Sequence, residues 1–97
     1  MMVGLYNISM TIKELLDKKV LESGDVLIWN RKYLGSTFKV KIDSSGKIHT
    51  ENGLLFNSPS GAARYFSNGV EVDGWRIWRV ERLNRTLSEL RNQLKTS

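Results

Sequence analysis

The stretch Asn57–Val80, NSPSGAARYFSNGVEVDGWRIWRV, constrains the fold of this chain more than any other. Ser58 followed by Pro59 starts a helix for two separate reasons. The serine oxygen can accept a bond from a free amide of the first turn. Proline fixes φ at the first helical position, where its missing donor costs nothing. Pro59, Ala62, Ala63 and Phe66 fall at i, i+3, i+4 and i+7, one apolar face of a short helix. Asn68-Gly69 ends it, because both residues tolerate positive φ. Asp73-Gly74 is a turn dipeptide. The segment Trp75–Val80 then reads as a strand, with Trp75, Ile77 and Arg79 on one side and Arg76, Trp78 and Val80 on the other.

The rest of the chain supplies a sheet for these two elements. Thr11 and Glu14 have the spacing of a capping box. Ile12, Leu15, Leu16 and Val20 form the buried stripe of a first helix that ends at Ser23-Gly24, with Lys13, Asp17 and Lys18 facing out. Val26 to Trp29 is an apolar run of four, which predicts a strand buried on both faces. Asn30 to Ser36 is a basic loop. Thr37 to Ile42 alternates, with Phe38, Val40 and Ile42 inward and Thr37, Lys39 and Lys41 outward. Asp43–Gly46 is a hairpin loop, Lys47–Thr50 a short strand, Asn52-Gly53 a tight turn, and Leu54–Phe56 another strand. The tryptophan strand returns to this meander. Glu81–Arg85 is a polar connector. Thr86 and Glu89 form a second capping box, opening a last helix with Leu87, Leu90 and Leu94 on one face.

The order αβββ(β)αβα gives an α+β fold: a mainly antiparallel sheet of four to five strands, the meander plus the returning strand, with three helices. Residues 1–10 have no period and read as a loose lead-in. Residues 11–97 read as one domain, a size that buries roughly 60–65% of its unfolded surface around one core. No run approaches the ~18 apolar residues of a membrane span. The first ten residues are too short, and lack the basic flank, for a signal peptide. There is no cysteine, which removes disulfides, thiolate nucleophiles and thiolate metal sites together and is compatible with the cytoplasm.

The ordered set of features resembles the RAMA domain, the restriction enzyme and adenine methylase associated module. Ser58-Pro59-Ser60 with Ala62-Ala63 matches its helix start, Gly74, Trp75 and Trp78 its Gly-Trp-x-x-Trp, and Leu87, Leu90 and Arg91 its closing Leu-x-x-Leu-Arg helix. Upstream, Ile12 to Leu21, Gly24-Asp25-Val26-Leu27, Gly35 and Asp43 to Gly46 follow the same pattern. The resemblance covers roughly residues 11 to 94. Asp73 stands where Asn is common in the family, and Gly61 precedes the alanine pair. The resemblance implies an accessory DNA-binding module of modification enzymes, and readout of methylated adenine has been proposed for some members.

The residues themselves point the same way. The formal net charge is +5, which suits a polyanion. Six of the seven arginines follow residue 60, and arginine offers a planar fork for phosphate or guanine edges. Ser58 is a helix cap, and a helix start with free amides is also an anion site; Ser60 adds a second hydroxyl in that turn. Trp75, after a glycine turn and beside Arg76, is the candidate for contacting or stacking on a base. Arg64, Arg76 and Arg79 are candidates for a basic rim, and only one of Arg76 and Arg79 can share a strand face with Trp75. Lys39 and Lys41, with Lys32, form a second basic group.

Catalysis has little in its favour. His49 is the only histidine, no His/Asp/Glu cluster has ligand spacing, and there is no phosphate-cradling glycine loop. Asp25, Asp43, Glu51 and Asp73 sit at turns, where carboxylates accept backbone amides. The expected function is a non-catalytic DNA-binding module without cofactor or metal, partnered by double-stranded DNA and a methyltransferase or nuclease domain. The alternative is a protein–protein module docking a partner enzyme.

Overall fold

A computed structural model of the protein describes residues 11–96; the expected lead-in, residues 1–10, lies outside them. Helix α1 (Ile12–Asp17) opens with the capping box: Glu14 N–H donates to Thr11 Oγ1 at 3.2 Å, and Thr11 N–H donates to Glu14 Oε1 at 2.9 Å. It stops earlier than the spacing suggests. Lys19 takes φ +66°, and the amides of Val20 and Leu21 both return to the Leu15 carbonyl. That left-handed turn folds Leu21 back into the core, where it is fully buried.

The sheet follows as β1 (Val26–Arg31), β2 (Ser36–Ile42), β3 (Ile48–Thr50) and β4 (Leu55–Phe56), each antiparallel to the last. A 3₁₀ turn at Lys32–Leu34 joins β1 to β2. Helix α2 (Pro59–Phe66) comes next, then α3 (Gly74–Ile77), a hairpin of β5 (Arg79–Val80) and β6 (Arg85–Thr86), and α4 (Leu87–Thr96). The strand order β4-β3-β2-β1-β5-β6 places β1 against both β2 and β5. The class is the expected α+β, with six strands and four α-helices among the described residues in place of four to five and three.

Three expectations fail. Trp75–Val80 is not one strand. Asp73 Oδ1 accepts from Trp75 N–H at 3.1 Å and Trp78 N–H donates to the Gly74 carbonyl, so a capped helical turn forms before the strand begins at Arg79. The polar connector 81–85 becomes a tight hairpin turn with Asn84 at φ +54°, which creates β6. Nor is β1 buried on both faces. Leu27 is buried, while Val26, Ile28 and Trp29 are partly covered. The inward residues Leu27, Val40, Ile42, Ile48 and Val80 join Ile12, Leu15, Ala62, Ala63, Leu87 and Leu90 in one core. The opposite sheet face carries Lys39, Lys41, His49 and Arg79, all exposed. Among the described residues, no helix is long and apolar enough to cross a membrane.

An aromatic seam ties sheet to helices. Phe38 stacks on Phe66 with centroids 4.7 Å apart, and Trp78 meets both Trp29 and Phe66 edge-on at 5.9 and 6.0 Å. Arg82 ties the chain after α1 to the last hairpin, its Nη2 donating to the Val20 carbonyl at 3.2 Å. Its Nε and Nη2 donate to the two Asp25 oxygens at 2.8 and 2.9 Å. Burial works to raise the Asp25 pKa, but the Arg82 bonds, the Glu22 amide and the Arg82 charge overcome it and hold the carboxyl below its ordinary value.

Candidate nucleic-acid interface

Ser58 caps α2 as its sequence dictates: the hydroxyl accepts from Gly61 N–H at 3.0 Å. The two residues after it are clasped by the α3 turn. Gly74 N–H donates to Ser60 Oγ at 3.0 Å, and Trp78 Nε1–H donates to the Pro59 carbonyl at 2.9 Å. The approach leaves no space for a side chain. A Cβ on Gly74 would stand 2.2 Å from the Pro59 carbonyl carbon and oxygen and 2.5 Å from Ser60 N. Ser58-Pro59-Ser60 and Gly74-x-x-x-Trp78 are therefore one packing device. Ser60 takes part in it as an acceptor, with its oxygen turned to Gly74.

The clasp brings the Ser58 turn and Trp75 onto one concavity of about 480 Å³. Lys13 from α1, Lys47 from the turn before β3 and Arg91 from α4 complete its cationic lining, with Thr11, Ser45 and Asn57 as hydroxyl and amide groups. Among the described residues, no carboxylate side chain lines it. Lys13 Nζ is held by Asp17 at 2.7 Å, and Lys47 Nζ donates to Asn57 Oδ1 at 3.2 Å. The Arg91 guanidinium lies over the Trp75 ring, 4.5 Å from its centroid. Arg91 Nε is buried with no hydrogen-bond partner among the described residues. Trp75 is partly buried beneath that guanidinium, so a base stacking on the covered face would displace Arg91.

The wall formed by residues 43–47 is built by Asp43. Its Oδ1 accepts from Ser45 N–H, Ser45 Oγ and Lys47 N–H, and its Oδ2 lies 2.6 Å from His49 Nε2. The His49 bond above all, then those of Ser45 and Lys47, holds this carboxyl well below the usual carboxylate range. Gly46, at φ +89°, lets the turn press on α1: a Cβ there would stand 3.0 Å from Lys13 N.

The other sequence candidates lie elsewhere. Arg64 is exposed beside Tyr65, Asn68 and Gly69 in a separate depression. Arg76 is 79% exposed, 3.5 Å from Asp73. Arg79 donates to the Asn84 carbonyl at 2.9 Å. Lys39 faces Glu81 at 3.7 Å, and Lys41 pairs in register with His49 on the open sheet face. The arginine rim imagined around Trp75 is thus dispersed, because α3 replaces the strand whose alternation placed it. Sequence spacing does not reach Lys13, Lys47 and Arg91 as members of one site. The available signals were Lys47 following the Asp43–Gly46 turn and Arg91 closing the Leu-x-x-Leu-Arg motif. Among the described residues, no three His, Cys, Asp or Glu side chains are grouped to hold a metal.

No curated protein matches the chain. The family model for RAMA, Restriction Enzyme Adenine Methylase Associated, matches residues 5–97, nearly the whole chain. With the α+β fold and the clasped Ser-Pro-Ser and Gly-Trp segments in place, the chain belongs to the RAMA family, whose name ties it to restriction enzymes and adenine methylases.

Proposed function

We propose that this RAMA domain is a non-catalytic module that holds double-stranded DNA for an adenine methylase or restriction enzyme, in the cytoplasm. The observation that carries the reading is the concavity between the Ser58 turn and Trp75. Lys13, Lys47 and Arg91 line it, and among the described residues no carboxylate does. A phosphate there meets three cations, Lys13, Lys47 and Arg91, beside the Ser58 turn. Arg91 is fixed by its stack on Trp75, so little freedom is lost when it binds.

Salt-dependent binding tests this. Each cation neutralising a phosphate adds about −0.9 to the log–log slope of affinity against salt. Lys47→Ala and Arg91→Gln are each expected to weaken duplex binding at every sequence and to flatten that slope by about 0.9. A wild-type protein that binds no duplex at about 50 mM salt would sink the reading. Sensing of methylated adenine is the finer part of the proposal. It predicts tighter binding to a methylated duplex than to its unmodified twin, and equal affinities remove it.

One observation favours docking to a partner enzyme as the second reading. Leu54, Leu55 and Tyr65 stand 38, 52 and 45% exposed near the β4 edge. It predicts salt-insensitive binding to a methyltransferase or nuclease domain, lost in Leu55→Asp.

A further inference from the structure

We propose that the apex of the β1–β2 hairpin is a second DNA contact, which wedges Tyr33 and Leu34 into a groove. The inference rests on the DNA-binding reading above and concerns a different part of the molecule. Tyr33 is 97% exposed and the adjacent Leu34 59%. Neither supports the core. Two neighbouring apolar side chains at a projecting tip suit insertion between base steps, as apolar wedges do in groove-binding proteins.

The tip is held in shape. Residues Lys32–Leu34 form a 3₁₀ turn, closed by Gly35 N–H donating to the Lys32 carbonyl at 3.1 Å, with Gly35 left-handed. Arg31 braces its base. Its guanidinium lies over the Trp29 ring, 4.8 Å from the centroid, and Nη1 donates to the Phe66 carbonyl at 3.5 Å. A braced apex loses less freedom on insertion than a loose one.

The surroundings select a polyanion with planar groups. Lys32 borders a depression of about 480 Å³ that also receives Arg79, Asn30 and Asn84. Its one carboxylate, Glu81, is 3.7 Å from Lys39. Cations, amides and a protruding aromatic ring together match a duplex groove, where phosphates flank stacked bases.

The apex and the concavity are opposite ends of the same strand. Strand β2, Ser36–Ile42, runs from the Tyr33 turn to the Asp43–Lys47 turn. The six steps from Ser36 to Ile42, at about 3.4 Å each, separate the two by roughly 20 Å. That distance is about six base-pair steps at ~3.4 Å per step. The apex is therefore a second point of contact and no part of the first.

The test compares Tyr33→Ala, Tyr33→Phe and Lys32→Ala in the full chain, with duplexes carrying 2-aminopurine as a stacking reporter. Tyr33→Ala is expected to weaken binding about five- to a hundredfold with an unchanged salt slope, since the lost group is neutral. Tyr33→Phe keeps the ring and retains wild-type affinity. Lys32→Ala flattens the slope by about 0.9. Wild type raises the 2-aminopurine fluorescence on binding, and Tyr33→Ala does not. Thermal unfolding of Tyr33→Ala matches wild type, separating contact from folding. If wild type binds and Tyr33→Ala binds equally well, the apex proposal is overturned alone. If wild type binds no duplex, both readings are overturned.

Discussion

The clasp beside the concavity and the open face of the sheet both carry polar side chains, yet these are used in opposite ways. In the clasp, Ser58, Ser60, Gly74 and Trp78 each make a contact that fixes backbone to backbone. On the open face, Lys39 and Glu81 are about half exposed and 3.7 Å apart, and Lys41 and Arg79 are exposed too. Buried, directional contacts contribute to folding; solvated ion pairs contribute little. Ser58, Ser60, Gly74 and Trp78 of the family motif therefore hold the shape, while the cations Lys13 and Lys47 beside them are held by single contacts to Asp17 and Asn57. Substitutions in the two regions should separate folding from binding.

The largest effect is expected at Gly74. Gly74→Ala places a methyl 2.2 Å from the Pro59 carbonyl, and backbone on both sides must move. Overpacking against backbone should destabilise by about 3 kcal/mol or more. For a domain of this size that is a fall in Tm of more than about 12 °C. A variant that melts with wild type would mean the clasp is looser than its distances indicate, and the contrast with the sheet face would dissolve.

Next comes Asp25. It is 7% exposed and bonded through both oxygens to Arg82. Asp25→Asn leaves the guanidinium the more distant Glu22 carboxylate, 3.6 Å from Nη1. The loss should be about 2 kcal/mol, below that of a fully buried pair because Arg82 stays partly in water. Acid should have the same effect. The folded pKa is depressed, so the stabilisation is complete above the ordinary carboxylate value of about 4 and is lost as pH falls through the folded value. Urea unfolding from pH 6 to pH 3 should show a falling midpoint in wild type and a shallower fall in Asp25→Asn.

These residues also show what a sequence can disclose. Local signals survive intact: both capping boxes, the Ser58 cap and the Asn68 helix stop are where their spacing puts them. The alternation of β2 is likewise visible, because one covered face imposes it. What spacing misreads is any segment whose local chemistry competes with its neighbours. Trp75–Val80 has the composition of a strand, but the Asp73 carboxylate captures the Trp75 amide and winds a helical turn first. The site is less legible than the fold. Ser58 and Trp75 do meet, yet Lys13, Lys47 and Arg91 come from three elements far apart in sequence. Only the packed structure brings them together.

Ser58→Ala should fall between the two regions. The cap contributes about 1 kcal/mol, through a single amide bond to Gly61. Ser58 also lines the concavity. Chemical denaturation should record that loss of about 1 kcal/mol, and duplex affinity measured well below the melting temperature should fall as well. Ser58→Asp sharpens the comparison, because it restores the cap while adding a negative charge to the lining. Stability should recover and affinity should fall further than in Ser58→Ala. A Ser58→Asp protein that binds as wild type would remove the helix start from the interface.

The smallest effect is expected on the open face. Lys39→Ala removes a pair whose members are 50 and 52% exposed, and Lys41→Ala removes an exposed cation opposite His49. Together they should change stability by less than about 0.5 kcal/mol. If the concavity is the main backbone contact, the double variant should lose less duplex affinity than Lys47→Ala alone, and the salt slope should stay within about 0.5 of wild type. The reverse order of losses would move the interface to the sheet. It would also mean that Lys39, although held near Glu81, exchanges that partner for a phosphate. Exposed pairs permit such an exchange, because so little free energy holds them together.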